Sequence, residues 1–440
     1  GITFNQKIKA GSGNITLRKD SSSGDLVENF GIGSSVTIAG NELSFTPTSN
    51  LDSGQTYYIS LPSGVITNMA SESYVGTAYT FKTPINVPMV WGSGAGGELA
   101  QNSTVSYSSP VQIPGTTWSI INGGGHRLGV KTDGTLWGWG RNTKGQLGLN
   151  TNNSAGDGIS SPTQIPGTTW AWTRGAKDLY GIGVKTDGTL WTWGDNGYGN
   201  LGHGDKVNRS SPVQVPGTTW AHSVDMGTRG SGAVKTDGTL WTWGNNSWGN
   251  LGDGQQGSHT ESPNQVPGTT WSKYYHGADT SFGLKTDGTL WGWGKQGQGE
   301  IGINNTTQYD SPVQIPGTTW TQFGAASSTS MGLKSDGTLW TWGRNGNGQL
   351  GLNDTTSRSS PVQVPGTTWT NVMAIGSVLG GVKSDNTLWI WGHNGNGSLG
   401  LNQPDNSHRS SPTQIPGVWT QVENEIYKGT ETNPLVFTTR

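Results

Sequence analysis

A nine-residue phrase, PVQIPGTTW with small variations, returns along the chain with its first proline at Pro110, Pro162, Pro212, Pro263, Pro312, Pro361 and Pro412. Successive prolines lie 52, 50, 51, 49, 49 and 51 residues apart. A fixed period near 50 residues, made of short alternating segments, reads as the blades of a β-propeller. Two further phrases keep the same beat. VKTDGTLW or a close variant ends at Trp137, Trp191, Trp241, Trp291, Trp340 and Trp389, and a WG pair begins at Trp91, Trp139, Trp193, Trp243, Trp293, Trp342 and Trp391.

Within one period TTWSII, LGVKT, TLWGWG and PVQI each have strand character, and the Asp-Gly between the second and third predicts a type I′ hairpin turn. Four strands make one blade. Trp137 and Trp139 stand two residues apart and so share a strand face, while Gly138, Thr192 and Thr242 sit between such pairs on the opposite face. Of 22 tryptophans, 20 occupy recurring positions and only Trp172 and Trp248 fall outside the register. The recurring ones are therefore expected to pack blade against blade.

Seven proline phrases and seven WG pairs accompany only six VKTDGTLW phrases. The sequence ends in LVFTTR where the seventh second strand would stand, and PMVWGSGAGGELA near its start supplies a surplus third strand. There Glu98 follows Trp91 by seven residues, as Gln146 follows Trp139 and Glu300 follows Trp293. A strand around residues 88–92 is thus expected to pair with residues 435–439 and close a seven-bladed propeller over residues 85–440. Residues 1–84 read as a separate small β domain with strands in ITFNQKI, NITLRK, SSVTIAG, ELSFTP, QTYYISLP and AYTFKTP. TPINVP is a proline-stiffened connection between the two. The fold class is all-β throughout.

The run DGTLWGWGRNTKGQLG at Asp133 to Gly148 resembles the regulator of chromosome condensation repeat, whose family implies a seven-bladed propeller. GNLG and GSLG replace GQLG in some blades. That family includes a nuclear exchange factor for a small GTPase, a plant ultraviolet photoreceptor and a secreted bacterial inhibitor of β-lactamases, so the shared fold selects no activity. The photoreceptor's tryptophans lie at a charged dimer face, unlike the blade-core register here. ELSFTPTSNLDSGQTYYISLPSGVI resembles the bacterial surface-layer type of Ig-like β-sandwich. Its usual opening strand is missing before ITF, so the natural polypeptide is expected to continue upstream.

Charge and composition remove several classes of function. With 26 basic and 28 acidic residues and no basic run, the chain lacks the footprint of a nucleic-acid or anionic-membrane binder. It has no Cys and no run of 18 apolar residues, so thiolate chemistry and helical membrane insertion are not expected. The seven histidines show no metal-ligand spacing, and the repeated TDG aspartates read as turn formers, so neither a metal nor a cofactor is expected. No GxSxG, P-loop or HExxH occurs. A glycoside hydrolase would need two facing carboxylates from among Asp178, Asp225, Asp279 and Glu423, and solvated loop charges account for these more simply.

Comparison of the blades with one another separates fixed strands and turns from variable segments after TTW and after WG. Connections alternate between the two ends of an antiparallel sheet, so both variable sets are expected on one face of the ring. The residues singled out there as partner-binding are Arg127, Arg174, Lys177, Asp178, Tyr180, Asp225, Arg229, Tyr274, Tyr275 and His276. The expectation is a non-enzymatic recognition or structural protein, extracellular, on a phage particle or a bacterial surface. It would bind a surface glycan or a protein through the loop face, with an upstream polypeptide or particle protein joined through the Ig-like domain. A secreted propeller inhibitor of a bacterial enzyme and a glycan-active enzyme stay open as alternatives.

Overall fold

The computed structural model describes residues 2–48, 51, 55–74, 78–83, 86–115, 117–152, 158–175, 179–227, 230–277, 279–326, 328–402, 407–422 and 435–439. The chain divides into two compact units, Gly1–Asn86 with Thr439–Arg440, and Val87–Thr438. The boundary expected at residues 84 and 85 lies outside the described residues.

The first unit is a β-sandwich. One sheet runs Leu26–Gly31, Asn14–Lys19, Thr56–Ser60, Tyr79–Lys82, and the other Ile2–Thr3, Glu42–Phe45, Val36–Ala39. Alternation places Ile15 and Leu17, then Tyr57 and Ile59, on one side of their strands, where they bury against Phe30, Leu43 and Ile66. Two strands had no counterpart in the sequence reading. Leu26–Gly31 buries only Phe30 and so lacks a clear alternation, and Ile66–Asn68 is three residues paired with Ile8–Ala10.

The second unit contains seven four-stranded antiparallel sheets. A typical blade runs Trp118–Gly123, His126–Lys131, Leu136–Gly140, Ile159–Ile165 in order. The seventh sheet is composite: Trp419–Val422, Leu435–Thr439, Asn86–Gly92 and Tyr107–Gln112, so it joins strands from the two ends of the sequence. Second and third strands are buried almost end to end because each blade is covered on both sides, as in His126–Lys131 and Leu136–Gly140. Fourth strands such as Arg209–Gln214 are half-buried and form the outer rim. First strands of successive blades contact one another and line the central channel.

The turn between second and third strands differs from the type I′ expectation. Gly134 has φ 76° but Asp133 does not adopt a positive φ, and Gly134 N–H donates to the Lys131 carbonyl. The bend is centred on Thr132 and Asp133, with the glycine next in the left-handed region. Asp133 has a different task. Its Oδ1 accepts from the Thr135 amide at 2.9 Å and the Thr135 hydroxyl at 2.6 Å, and the Thr135 oxygen accepts from the Trp137 indole at 2.8 Å. Above that indole sits Lys131, its Nζ 3.9 Å from the ring centroid and 5.1 Å from that of Trp118. The same Lys–Trp–Trp arrangement recurs around Lys185, Lys235, Lys285, Lys334 and Lys383, which is why the whole phrase repeats.

Two rings of hydrogen bonds seal the blades. Each WG tryptophan donates its indole N–H to a carbonyl in the preceding blade's loop: Trp139 to Glu98, Trp193 to Gln146, Trp243 to Asn200, Trp293 to Asn250, Trp342 to Glu300, Trp391 to Gln349 and Trp91 to Ser398. All seven indoles are fully buried. At the opposite end, the Trp170 amide donates to the Gly134 carbonyl of the blade before it at 3.0 Å, and five later blades repeat this bond. To reach it, Thr169 adopts φ 67°, and Thr219, Thr270, Thr319 and Thr368 do the same. A positive φ is costly for a β-branched residue, so the inter-blade bond compensates local strain.

Candidate functional site

The fourth position after the TTW tryptophan, shifted by one in the third blade where the register slips, reaches toward the following blade. It holds Asn122, Arg174, Asp225, Tyr275, Gly324 and Met373 in successive blades, and Glu423, which lies outside the described residues. These side chains stitch neighbours together. Asn122 Nδ2 donates to the Thr173 carbonyl at 2.9 Å, Arg174 Nε lies 3.2 Å from Asp225 Oδ1, and Asp225 Oδ2 accepts the His276 amide at 2.9 Å. The Tyr275 hydroxyl bonds the Phe323 backbone, and its ring packs edge-on to Phe323.

The structure therefore corrects the expectation of an exposed binding surface at the residues singled out from sequence. Arg127, Asp225 and Tyr180 are completely buried, His276 and Tyr274 nearly so, and Tyr275 and Arg174 are half-buried. The segment after TTW is the inner strand together with the start of the second strand, where Arg127 and Tyr180 stand, and its variability reflects pairwise matching between blades. Tyr274 belongs to a core cluster with Trp271 and Trp293, and its hydroxyl meets Ser281 Oγ at 3.0 Å. The Tyr180 hydroxyl donates to the Gly230 carbonyl at 2.8 Å, one blade on. Arg174, Asp225, Tyr275 and His276 come together, whereas Arg127 stands on the second strand of the first blade. Lys177, Asp178 and Arg229 fall outside the described residues.

Burial dominates the electrostatics of the ionisable groups between the blades. It raises Asp225 to about 6 despite the Arg174 guanidinium and two backbone amides that favour the carboxylate. It pushes the Tyr274 and Tyr275 phenols upward, and lowers His126 to about 3. The carboxylates considered for hydrolysis do not form a facing pair among the described residues. Asp225 is sequestered with Arg174, Asp279 pairs with Lys295 at 3.6 Å, and Asp178 and Glu423 lie outside them. No group of three or more potential metal ligands occurs among the described residues.

The loops between third and fourth strands carry exposed chemistry on a recurring frame. In the second blade Asn196 holds its loop by donating to the Asp205 and Val207 carbonyls and accepting from the Leu201 amide, and Asn345 repeats this in the fifth. Five residues after each WG tryptophan the frame presents a position that differs between blades: Gly96, Lys144, Tyr198, Trp248, Gln298, Asn347 and Asn396. Adjacent blades thus present Tyr198 and Trp248. Trp248 is 39% exposed, the most exposed tryptophan among the described residues. Lys295 Nζ stands 4.9 Å from its ring and also pairs with Asp279, while Tyr198 packs edge-on to His259 at 5.6 Å. Lys206 and Glu261 pair at 3.3 Å, with Val207 exposed between the blades' loops. This sector was not chosen from sequence. Its signal was present in Trp248, one of two tryptophans outside the blade register.

Sequence and structure comparisons agree with this architecture. A family model described as RCC1-like domain matches residues 87–431, and one described as Bacterial Ig-like domain matches residues 1–83. The ultraviolet-B receptor UVR8 of Arabidopsis thaliana is 30% identical over 129 residues, spanning 27% of this chain and 28% of the receptor. The human E3 ubiquitin-protein ligase HERC2 is 28% identical over 130 residues, 26% of this chain and 2% of the ligase. The chain thus spans less than a third of the length of either relative. Prp20p from Saccharomyces cerevisiae, solved in a study of its binding to Gsp1p and histones, superposes with TM-score 0.70 at 19% identity, covering 81% of this chain and 92% of Prp20p. From its repeats, its seven blades and the family match over the propeller, the chain belongs to the RCC1-like domain family, with a bacterial Ig-like domain preceding the propeller.

Proposed function

We propose that the protein is a non-enzymatic recognition module, displayed outside a bacterial cell or on a phage particle, that binds a protein partner through the loop sector around Trp248. The observation that carries this reading is Trp248 itself. A large indole held exposed by an otherwise structural loop frame, with Lys295 over its ring and Asp279 paired to that lysine, has the composition of a binding hot spot. Protein binding is supported by Prp20p, whose partners are the proteins Gsp1p and histones. Display outside the cell is supported by the bacterial Ig-like domain.

The test is binding of the fluorescently labelled full chain to intact bacterial cells, before and after protease shaving of the cell surface, with Trp248→Ala in parallel. Binding that depends on Trp248 and is lost on shaving supports the proposal. Binding that survives shaving and is lost on periodate treatment assigns the sector to a glycan instead. Undiminished binding by Trp248→Ala overturns the site.

A further inference from the structure

The loop of the sixth blade differs chemically from its counterparts. His393 and His408 stack with ring centroids 4.6 Å apart and planes inclined by 30°. Each ring uses Nδ1 as an acceptor: His393 Nδ1 takes the Gly395 amide at 3.0 Å, and His408 Nδ1 takes the Asn394 amide at 3.2 Å. Elsewhere the second bond is made to a group that does not titrate. Asn208 Oδ1 accepts the Asn196 amide at 2.8 Å in the second blade, and Ser357 Oγ accepts the Asn345 amide at 3.2 Å in the fifth.

An imidazolium has N–H donors on both nitrogens and cannot accept. Protonation of either ring therefore breaks a loop bond, and protonation of both would place like charges face to face. Burial and the neighbouring His408 already hold His393 below its usual range. The nearby Arg409, whose guanidinium donates to the His408 carbonyl at 3.4 Å, adds positive charge. Neither ring pairs with an acid among the described residues. The strand packed against the loop from the composite blade, Tyr107–Gln112, carries no ionisable group besides the Tyr107 phenol. The fifth blade's loop, with its Arg358–Asp354 ion pair, meets the following strand through Asn353 at Ser410 and Ser411.

This same loop makes the seam of the ring. Ser398 accepts the Trp91 indole at 3.3 Å, the longest of the seven indole bonds, and its hydroxyl donates to the His393 carbonyl at 2.9 Å. We propose that the His393–His408 stack is an acid-sensitive latch, which on protonation releases the loop sealing the sixth blade to the composite blade.

The repeats supply internal controls. Amide hydrogen exchange followed by mass spectrometry on the full chain, corrected for the intrinsic pH dependence of exchange, would compare peptides spanning 393–402, 245–254 and 344–353, the last two free of histidine. Between about pH 7.5 and about pH 5, protection of the first should fall about tenfold or more, one order of magnitude per pH unit of linked protonation, while the other two change little. The variant H393N/H408N keeps side-chain acceptors without titration and should remove the difference. H408N alone installs the acceptor that the second blade already uses at Asn208, and should remove part of it. Equal acid sensitivity in all three loops, or a histidine-free variant that retains the effect, would overturn the latch.

Discussion

The indole N–H of Trp139 donates to the carbonyl oxygen of Glu98, 3.0 Å away, and so joins the first continuous blade to the composite blade. Both partners are fully buried, and the Glu98 carboxylate folds back to accept the Gly96 amide at 2.7 Å with Arg141 Nε at 3.8 Å. One tryptophan therefore provides both apolar packing and the inter-blade bond, which explains why no other residue replaces it in seven repeats.

Replacing that indole by a smaller ring separates the two contributions of the phrase TLWxWG. Trp139→Phe loses buried volume and leaves the Glu98 carbonyl without its donor, at a cost of about 2–4 kcal/mol. Trp137→Phe removes a bond to Thr135 from a half-buried ring and should cost about 1 kcal/mol. Denaturant unfolding of both variants measures the gap. Equal losses would mean that the indole bonds do not secure the ring.

The blade core gives a second contrast. Tyr274 is 2% exposed and packs on Trp293 with centroids 6.3 Å apart, so Tyr274→Ala should cost about 3–5 kcal/mol. Trp248→Ala removes an exposed ring and should change stability by less than about 0.5 kcal/mol while weakening partner binding. Thermal denaturation and a cell-binding assay on the two variants check this. A stable Tyr274→Ala variant would show that the residue belongs to a surface after all.

Much of this was legible from the sequence, and the misplacements have physical reasons. Blade number, strand order and tryptophan roles follow from a period that local sequence states directly. The residues that lie elsewhere than expected share one cause: a segment that differs between blades reads as a loop in the sequence. Asp225 and Arg174 differ from their counterparts because each must match a partner on the adjacent blade, and such pairing occurs between residues about 50 positions apart. A single-chain period exposes what every blade shares, and complementarity between blades is hidden in it. The Asp-Gly turn departs from the type I′ form for a related reason. Its aspartate is fixed by a bond to Thr135 two residues on, with no need for a left-handed backbone at Asp133.

Two buried groups set opposing pH responses. His126 is held near 3 in the fold against about 6.5 when exposed, so the unfolded chain binds the proton more tightly. Stability from its burial is complete above about pH 6.5 and falls as pH drops toward 3. Asp225, raised from 3.8 to about 6, works in the other direction: the fold favours its protonated form, and that contribution fades as pH rises through about 6. His126→Asn should flatten the acid limb of the stability curve below about pH 6, measured by denaturant midpoints across pH. A variant that keeps the full acid slope would assign it to other groups.

Closure of the ring yields the strongest test of the architecture. Within the composite sheet, Asn86–Gly92 stands between Tyr107–Gln112 and Leu435–Thr439, and it carries Val90 and Trp91, both fully buried. Starting the chain at residue 93 removes this strand, leaves Tyr107–Gln112 unpaired and Leu435–Thr439 paired only with Trp419–Val422, and deletes the Trp91 bond to Ser398. Two new strand edges and an uncovered blade face then replace a sealed seam, so the loss should be global rather than local. Starting at residue 86 instead removes only the sandwich, whose core of Ile15, Leu17, Phe30 and Leu43 is its own. Calorimetry should show the propeller transition nearly unchanged in the chain that begins at 86 and lowered by many degrees, or absent, in the chain that begins at 93. Six wholly continuous blades that melt alike in both chains would show that the composite blade contributes little, and that the first and sixth blades hold the ring without it.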